Sequence, residues 1–241
     1  MRKTAKQSLV SAKVTLLFDV DNTLLDNDHV IQDLRNHLDR KVGREHARRY
    51  WDLFEQLRGE LGYADYLGAL QRYRSEFPRD LGLLTVSRFL IEYPFANRLY
   101  PNSLDVIERA RQWGTAVILT DGDVVFQPRK VDRAGLSEAV EGKVLVYVHK
   151  ELELDHVRKV YPAKHYVLVD DKLRILTAAK KFWGTLVTTV FVQQGHYAAD
   201  RKILAAYPPA DRTISRIGDF LSFNPEQLLK AATVQRPSGM D

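Results

Sequence analysis

The 241-residue chain contains no cysteine. Disulfides, thiolate-held zinc, iron–sulfur clusters and a cysteine nucleophile are all excluded. No uninterrupted apolar run reaches the roughly 18 residues that a membrane-spanning helix needs, so no membrane partner is expected. Residues 1–13 are polar and basic and lack the apolar segment of a secretory signal. They are expected to form a loose leader, and 237–241 a frayed tail, with a cytoplasmic location as the simplest expectation. Zinc-finger spacing, an RNP-like strand and a long basic block are missing too, which argues against a specific nucleic-acid partner. There is no internal repeat and no low-complexity tract.

What the chain does have is a 45% hydrophobic content, enough for a real core, and 28% charged residues. Its 36 Lys and Arg against 31 Asp and Glu give a formal charge of +5. That mild excess favours anions such as phosphorylated metabolites. The length suits one large domain, or a core with a modest second lobe, as a monomer or dimer.

Val14–Phe18 reads as a buried strand that stops abruptly at Asp19 and Asp21, with Thr23 beyond. An unpaired carboxylate is costly inside a sheet. The pair is therefore expected at the carboxyl end of a parallel strand, where such sheets place their ligand crevice. Two carboxylates so close repel, and a hard divalent cation such as Mg²⁺ relieves the repulsion. A turn with one Asp capping a helix is the plainer alternative. Four further strands are predicted at 115–119, 143–148, 165–169 and 186–192, and helices at 103–113, 128–139, 151–160 and 172–183. A helix beginning near Tyr197 is expected to end at Pro208-Pro209. The alternation argues for an α/β fold: a three-layer, Rossmann-like, mostly parallel sheet.

Residues 28–95 carry no comparable strand. Apolar stripes over 44–58 (Ala47, Tyr50, Trp51, Phe54, Leu57) and 64–73 (Leu67, Leu70, Tyr73) predict amphipathic helices. So long an excursion exceeds an ordinary loop. It is expected to be an all-helical cap over 28–95, inserted into a core made of 1–27 and 96–241. Its aromatics are expected to fill its own small core, and Tyr50, Trp51 and Tyr73 are not assigned to catalysis. Its arginines, including Arg40, Arg44, Arg48, Arg49, Arg58, Arg72 and Arg74, either solvate helix faces or favour an anionic substrate.

Three more clusters stand at predicted strand ends. In Leu119-Thr120-Asp121-Gly122-Asp123, a hydroxyl and free backbone N–H groups suit a phosphate oxygen, and Gly122 lets the backbone approach closely. An ordinary strand-to-helix turn has the same composition. Lys150 follows the third strand and can neutralise a phosphoryl group, whereas Lys143 lies at the wrong strand end and Lys130 falls in or near a helix. Asp170-Asp171 ends the fourth strand and can join Asp19 and Asp21 around one cation if strands one and four are neighbours.

With these residues in order, the chain resembles the haloacid dehalogenase superfamily, in its phosphatase and phosphomutase branch. Asp19-Val20-Asp21-Asn22-Thr23 resembles the first motif, Thr120-Asp121-Gly122 the second, Lys150 the third and Asp170-Asp171 the fourth. The similarity runs from about Val14 to Gly195 and includes Gln127, Lys130 and Gly135-Leu136. The resemblance implies a Rossmann-like core with a helical cap inserted after the first motif. It implies Asp19 as nucleophile and Asp21 as general acid–base, with Thr120, Asp121, Gly122 and Lys150 around the phosphoryl group. Mg²⁺ would be held by Asp19, the backbone carbonyl of Asp21, and Asp170 or Asp171. Two departures stand out. Asp121 occupies a place where Asn is frequent, so its charge must point away or meet an arginine. Lys150 is followed by Glu151-Leu152-Glu153 rather than by proline. The expected activity is Mg²⁺-dependent hydrolysis of a small-molecule phosphate monoester through an aspartyl phosphate. A phosphomutase, a 2-haloacid dehalogenase and a noncatalytic phosphate-binding relative are the alternatives. The dehalogenase is disfavoured because a departing halide needs no proton, and such enzymes generally lack an acid at the Asp21 position.

Overall fold

A computed structural model describes residues 14–230. The leader over 1–13 and the tail over 237–241 lie outside the described residues. Six strands form one sheet: β1 (Val14–Phe18), β2 (Thr115–Asp121), β3 (Val144–Tyr147), β4 (His165–Asp170), β5 (Val187–Val192) and β6 (Arg212–Ile214). Their order is β3-β2-β1-β4-β5-β6, and every pair is parallel. β1 thus lies between β2 and β4, at the point where the chain reverses the direction in which it adds strands. Crevices open at the carboxyl ends of strands beside such a point.

The strands are apolar throughout because both faces of the sheet are covered. Side chains alternate between faces with a period of two. Leu16, Phe18, Ile118, Val167 and Val169 join one buried cluster, and Leu17, Leu119, Leu168 and Phe191 join the other.

The inserted segment is all helical: α1 (Asn27–Lys41), α2 (Arg44–Leu61), α3 (Tyr66–Glu76) and α4 (Leu83–Glu92). Asp26 caps α1 by accepting from the His29 amide at 3.0 Å, and Asp65 caps α3 by accepting from the Gly68 amide at 2.7 Å. α1 packs on α2 and α4, and its Val30, Leu34 and Leu38 join the same buried cluster. Tyr50 and Tyr73 are buried in the cap, as the stripes suggested, whereas Trp51 is only half-buried. Phe126 of the core touches Tyr66 of α3 and Phe95, with ring centroids at 5.2 and 5.7 Å, and joins cap to core. The apolar cluster is continuous across that contact.

The core helices are α5 (Ser103–Arg111), α6 (Phe126–Arg133), α7 (Leu136–Ala139), α8 (Leu154–Val160), α9 (Leu173–Trp183), α10 (Gly195–Ala199) and α11 (Arg201–Ala205). Val106, Ile107 and Ala110 of α5 cover one face of the sheet; Val157 of α8 and Ile175, Leu176 and Ala179 of α9 cover the other.

Four expectations need correction. The helix predicted over 128–139 is two helices, α6 and α7, broken where Gly135 adopts φ +76°. Pro128 does not start it; it sits in the first turn of α6, where a missing N–H costs nothing. The helix predicted over 151–160 begins only at Leu154, after a 3₁₀ turn over Lys150–Leu152. The helix expected near Tyr197 is two short helices, α10 and α11, with Asp200 capping the second through the Lys202 amide at 2.8 Å. β6 has no strand signature, because three residues including an arginine carry no periodicity. No helix among the described residues is long and apolar enough to cross a membrane.

Candidate active site

All four polar clusters meet at the carboxyl edge of the sheet. Asp19 follows β1, and its amide donates to the Val169 carbonyl of β4 at 3.0 Å. Its carboxylate is buried. Oδ1 accepts from Lys150 Nζ at 2.5 Å and Oδ2 from the Thr23 hydroxyl at 3.2 Å. Both oxygens are thereby oriented by residues from two other segments.

Lys150 is completely buried in the 3₁₀ turn after β3. Its Nζ also lies 2.6 Å from Asp170 Oδ2 and 3.2 Å from the Leu119 carbonyl. Burial alone would lower its pKa, but Asp170, Asp19 and Asp121 outweigh it and hold the ammonium above its ordinary value. Lys150 is therefore a fixed cation between the ends of β1, β2 and β4.

Thr120 and Asp121 end β2. Thr120 Oγ1 accepts from Gln127 Nε2 at 2.9 Å. Among the described residues no arginine hydrogen-bonds to Asp121; its Oδ1 accepts the Lys150 backbone amide at 2.7 Å and pins the 3₁₀ turn. Burial raises its pKa, with the Lys150 charge pulling the other way. Gly122 has φ +155°, and a Cβ there would come within 2.7 Å of Gln127, so the turn requires glycine.

Asp21 is the half-buried member of the opening pair. Its carboxylate receives Lys130 Nζ at 2.7 and 2.9 Å, and Gln127 Nε2 stands at 3.4 Å. Lys130 projects from α6, is 1% exposed, and also donates to Asn27 Oδ1 at 3.0 Å. The Asp21 side chain thus turns toward α6, away from the other carboxylates. Composition did not reveal this role for Lys130. The spacing Gln127-x-x-Lys130 puts both side chains on one face of a helix, and that was the available signal.

Asp19, Asp170 and Asp171 offer carboxylate oxygens within 4.8 Å of one another, all buried. Both oxygens of Asp171 are buried without a hydrogen-bond partner. Burial pushes Asp170 up to about 6 against the pull of Lys150, and it raises Asp171 well above the ordinary carboxylate value against Lys172. Orphaned, mutually repelling, hard oxygen donors are the surroundings a divalent cation requires, and the set fits Mg²⁺ or Ca²⁺ far better than a softer metal.

Above this edge, a cavity of about 790 Å³ lies between cap and core. Asp21, Asp121, Gly122, Gln127 and Lys172 form part of its core side. Ile31, Arg35, Trp51, Phe54 and Arg58 line its cap side. Two cap arginines sit in ion pairs away from it: Arg49 binds Glu76, and Arg72 binds Glu60. Arg58 faces the cavity and donates to the Tyr197 hydroxyl at 3.0 Å, tying cap to core. Arg35, not singled out from sequence, faces it as well.

Residues 14–192 match the haloacid dehalogenase-like hydrolase family. A protein from Burkholderia xenovorans LB400 described as a haloacid dehalogenase-like hydrolase is 60% identical, with 88% of this chain and 99% of that chain covered and a TM-score of 0.84. A hydrolase of the same kind from Bacillus subtilis, solved bound to magnesium, is 17% identical over 88% of this chain and 98% of that one, with a TM-score of 0.59. The L-2-haloacid dehalogenase of Xanthobacter autotrophicus, solved with chloropropionic acid covalently bound, is 17% identical over 85% and 95%, with a TM-score of 0.54. The last two share the fold. No protein of curated function matches the chain.

Proposed function

The chain belongs to the haloacid dehalogenase-like hydrolases, and from that premise we propose that it hydrolyses a small-molecule phosphate monoester through an aspartyl phosphate on Asp19, with Mg²⁺ as cofactor. The observation that carries the reading is the second carboxylate, Asp21, held by Lys130 two residues from Asp19. An alkoxide leaving group needs a proton and a halide does not.

In the first step an Asp19 oxygen attacks phosphorus, and the leaving oxygen takes a proton from Asp21. Asp21 then receives a proton from the water that attacks the aspartyl phosphate, which returns Asp19 and releases inorganic phosphate. Lys150, Thr120 and the backbone at Gly122 stabilise charge on the phosphoryl oxygens. Asp121 contributes by fixing the Lys150 turn. Mg²⁺, held by Asp19, Asp170, Asp171 and the Asp21 carbonyl, would offset the negative charge of the phosphoryl group. The helical cap covers the site and limits water.

Three measurements test this. Purified protein should hydrolyse 4-nitrophenyl phosphate with Mg²⁺, lose the activity in EDTA and release no chloride from 2-chloropropionate. Chloride release without phosphatase activity would establish the dehalogenase alternative.

The metal assignment has a stability signature. Carboxyls raised above their unfolded pKa cost stability as pH climbs from the ordinary 3.8 through about 6. The folded state retains protons there that the unfolded state has lost. Mg²⁺ should therefore raise the melting temperature more at pH 7.5 than at pH 5. Asp171→Asn should melt a few degrees higher than wild type in EDTA, from relief of about 1–3 kcal/mol, and lose the Mg²⁺ shift. A wild-type shift in that variant would remove Asp171 from the site.

Lys130→Met should slow an alkyl phosphate about tenfold or more while affecting 4-nitrophenyl phosphate much less, because a good leaving group needs little acid help. Equal losses on both esters, measured in single turnover, would assign Lys130 a purely structural role.

A further inference from the structure

The cavity is far larger than a phosphoryl group needs, and its distal end is chemically distinct. At 790 Å³ it matches the size of sites that enclose whole metabolites. Arg35 and Trp51 meet on its cap wall, with the guanidinium carbon 4.0 Å from the indole centroid. The other two arginines lining the cavity have carboxylates nearby: Arg174 pairs with Glu151, and Arg58 stands 3.8 Å from Glu55. Among the described residues Arg35 has no carboxylate partner. A guanidinium against an aromatic face retains its in-plane N–H groups, the donors that match a carboxylate two at a time.

The helix that carries Arg35 sets its distance from the chemistry. α1 begins beside the opening pair: Asp28 Oδ1 accepts from Asn22 Nδ2 at 3.0 Å, and Asn27 binds Lys130. Asp28, Ile31 and Arg35 follow at i, i+3 and i+7 on one face, and all three line the cavity. At 1.5 Å per residue, Arg35 lies about 10 Å farther along the axis than Asp28. Ile31 between them makes the intervening wall apolar.

We propose that Arg35, stacked on Trp51, is a specificity residue that binds a carboxylate on the leaving group, at the end remote from the phosphate. The substrate class is a phosphate monoester of a hydroxy acid whose two anionic ends are separated by on the order of 10 Å, the span of α1 from its start beside the opening pair to Arg35. This rests on the phosphatase reading and deepens it.

The test compares ω-phosphooxy alkanoates of increasing chain length with their methyl esters, which keep the shape and lose the charge. In kcat/KM, the free acid should be favoured roughly 10- to 100-fold once the chain is long enough to reach Arg35, and hardly at all for phosphoglycolate. The preference should shrink with added salt, because the pair is exposed. Arg35→Ala should bring the ratio to near one, and Arg35→Lys should retain part of it. Arg40→Ala, farther along α1 and outside the cavity lining, should keep the wild-type ratio. The proposal is overturned if wild type hydrolyses 4-nitrophenyl phosphate yet shows no acid preference at any length, or if Arg35→Ala retains the preference. No turnover of any ester, 4-nitrophenyl phosphate included, overturns the phosphatase reading and this one with it.

Discussion

Asp19→Asn should abolish turnover, by about 10⁴-fold or more, as removal of a covalent nucleophile does. The fold should survive. Asn keeps the shape, can still accept from Lys150, and relieves a carboxylate packed against Asp170 and Asp171. Two readouts separate chemistry from folding. Circular dichroism should match wild type, and acid-quenched enzyme mixed with a labelled phosphate ester should carry label only when residue 19 is Asp. Wild-type turnover by the variant, or label retained in it, would move the nucleophile elsewhere.

Lys150→Met should be the most damaging change to stability and should cut activity as well. The ammonium is completely buried and contacts Asp19 and Asp170 at 2.5 and 2.6 Å. Methionine fills much of the volume but strands those carboxylates. Breaking a buried pair from one side costs about 3–5 kcal/mol. Activity should fall by about 10²–10³-fold even where the protein is folded, because a fixed cation beside the transferring group is lost. Urea titration and turnover below the unfolding transition measure the two effects independently. A variant as stable as wild type would show that the carboxylates carry each other without Lys150, which the raised pKa of Asp170 argues against.

These effects concentrate on one edge of the sheet because of its topology. Asp19, Thr120, Lys150 and Asp170 come from segments spread over about 150 residues. Each follows or ends a strand that runs the same way, and β1 holds β2 and β4 against its two sides. The register pairs Phe18 with Ile118 and Val169, so Asp19 is level with Asp170 and Thr120 lies one residue further along its strand.

The amino-acid sequence by itself determined the strands β1 to β5, the helical insertion after β1, the family, and the carboxylates, threonine and lysine at the strand ends. Those features are local. An apolar run that stops at a charge, or a stripe at helical spacing, reports its environment without reference to any distant residue. What only the tertiary structure decided is which distant groups meet. Lys130 reads as one helical lysine among many until the turn at Gly122 and the packing of α6 bring it against Asp21. Asp121 reads as an excess charge at a phosphate site until the turn after β3 presents the Lys150 amide to it. Arg35 reads as a solvated helix residue until α1 and α2 stack it on Trp51 at the cavity wall. Partnership between side chains depends on chain crossings that carry no periodicity, so it becomes visible only once the helices and strands are placed.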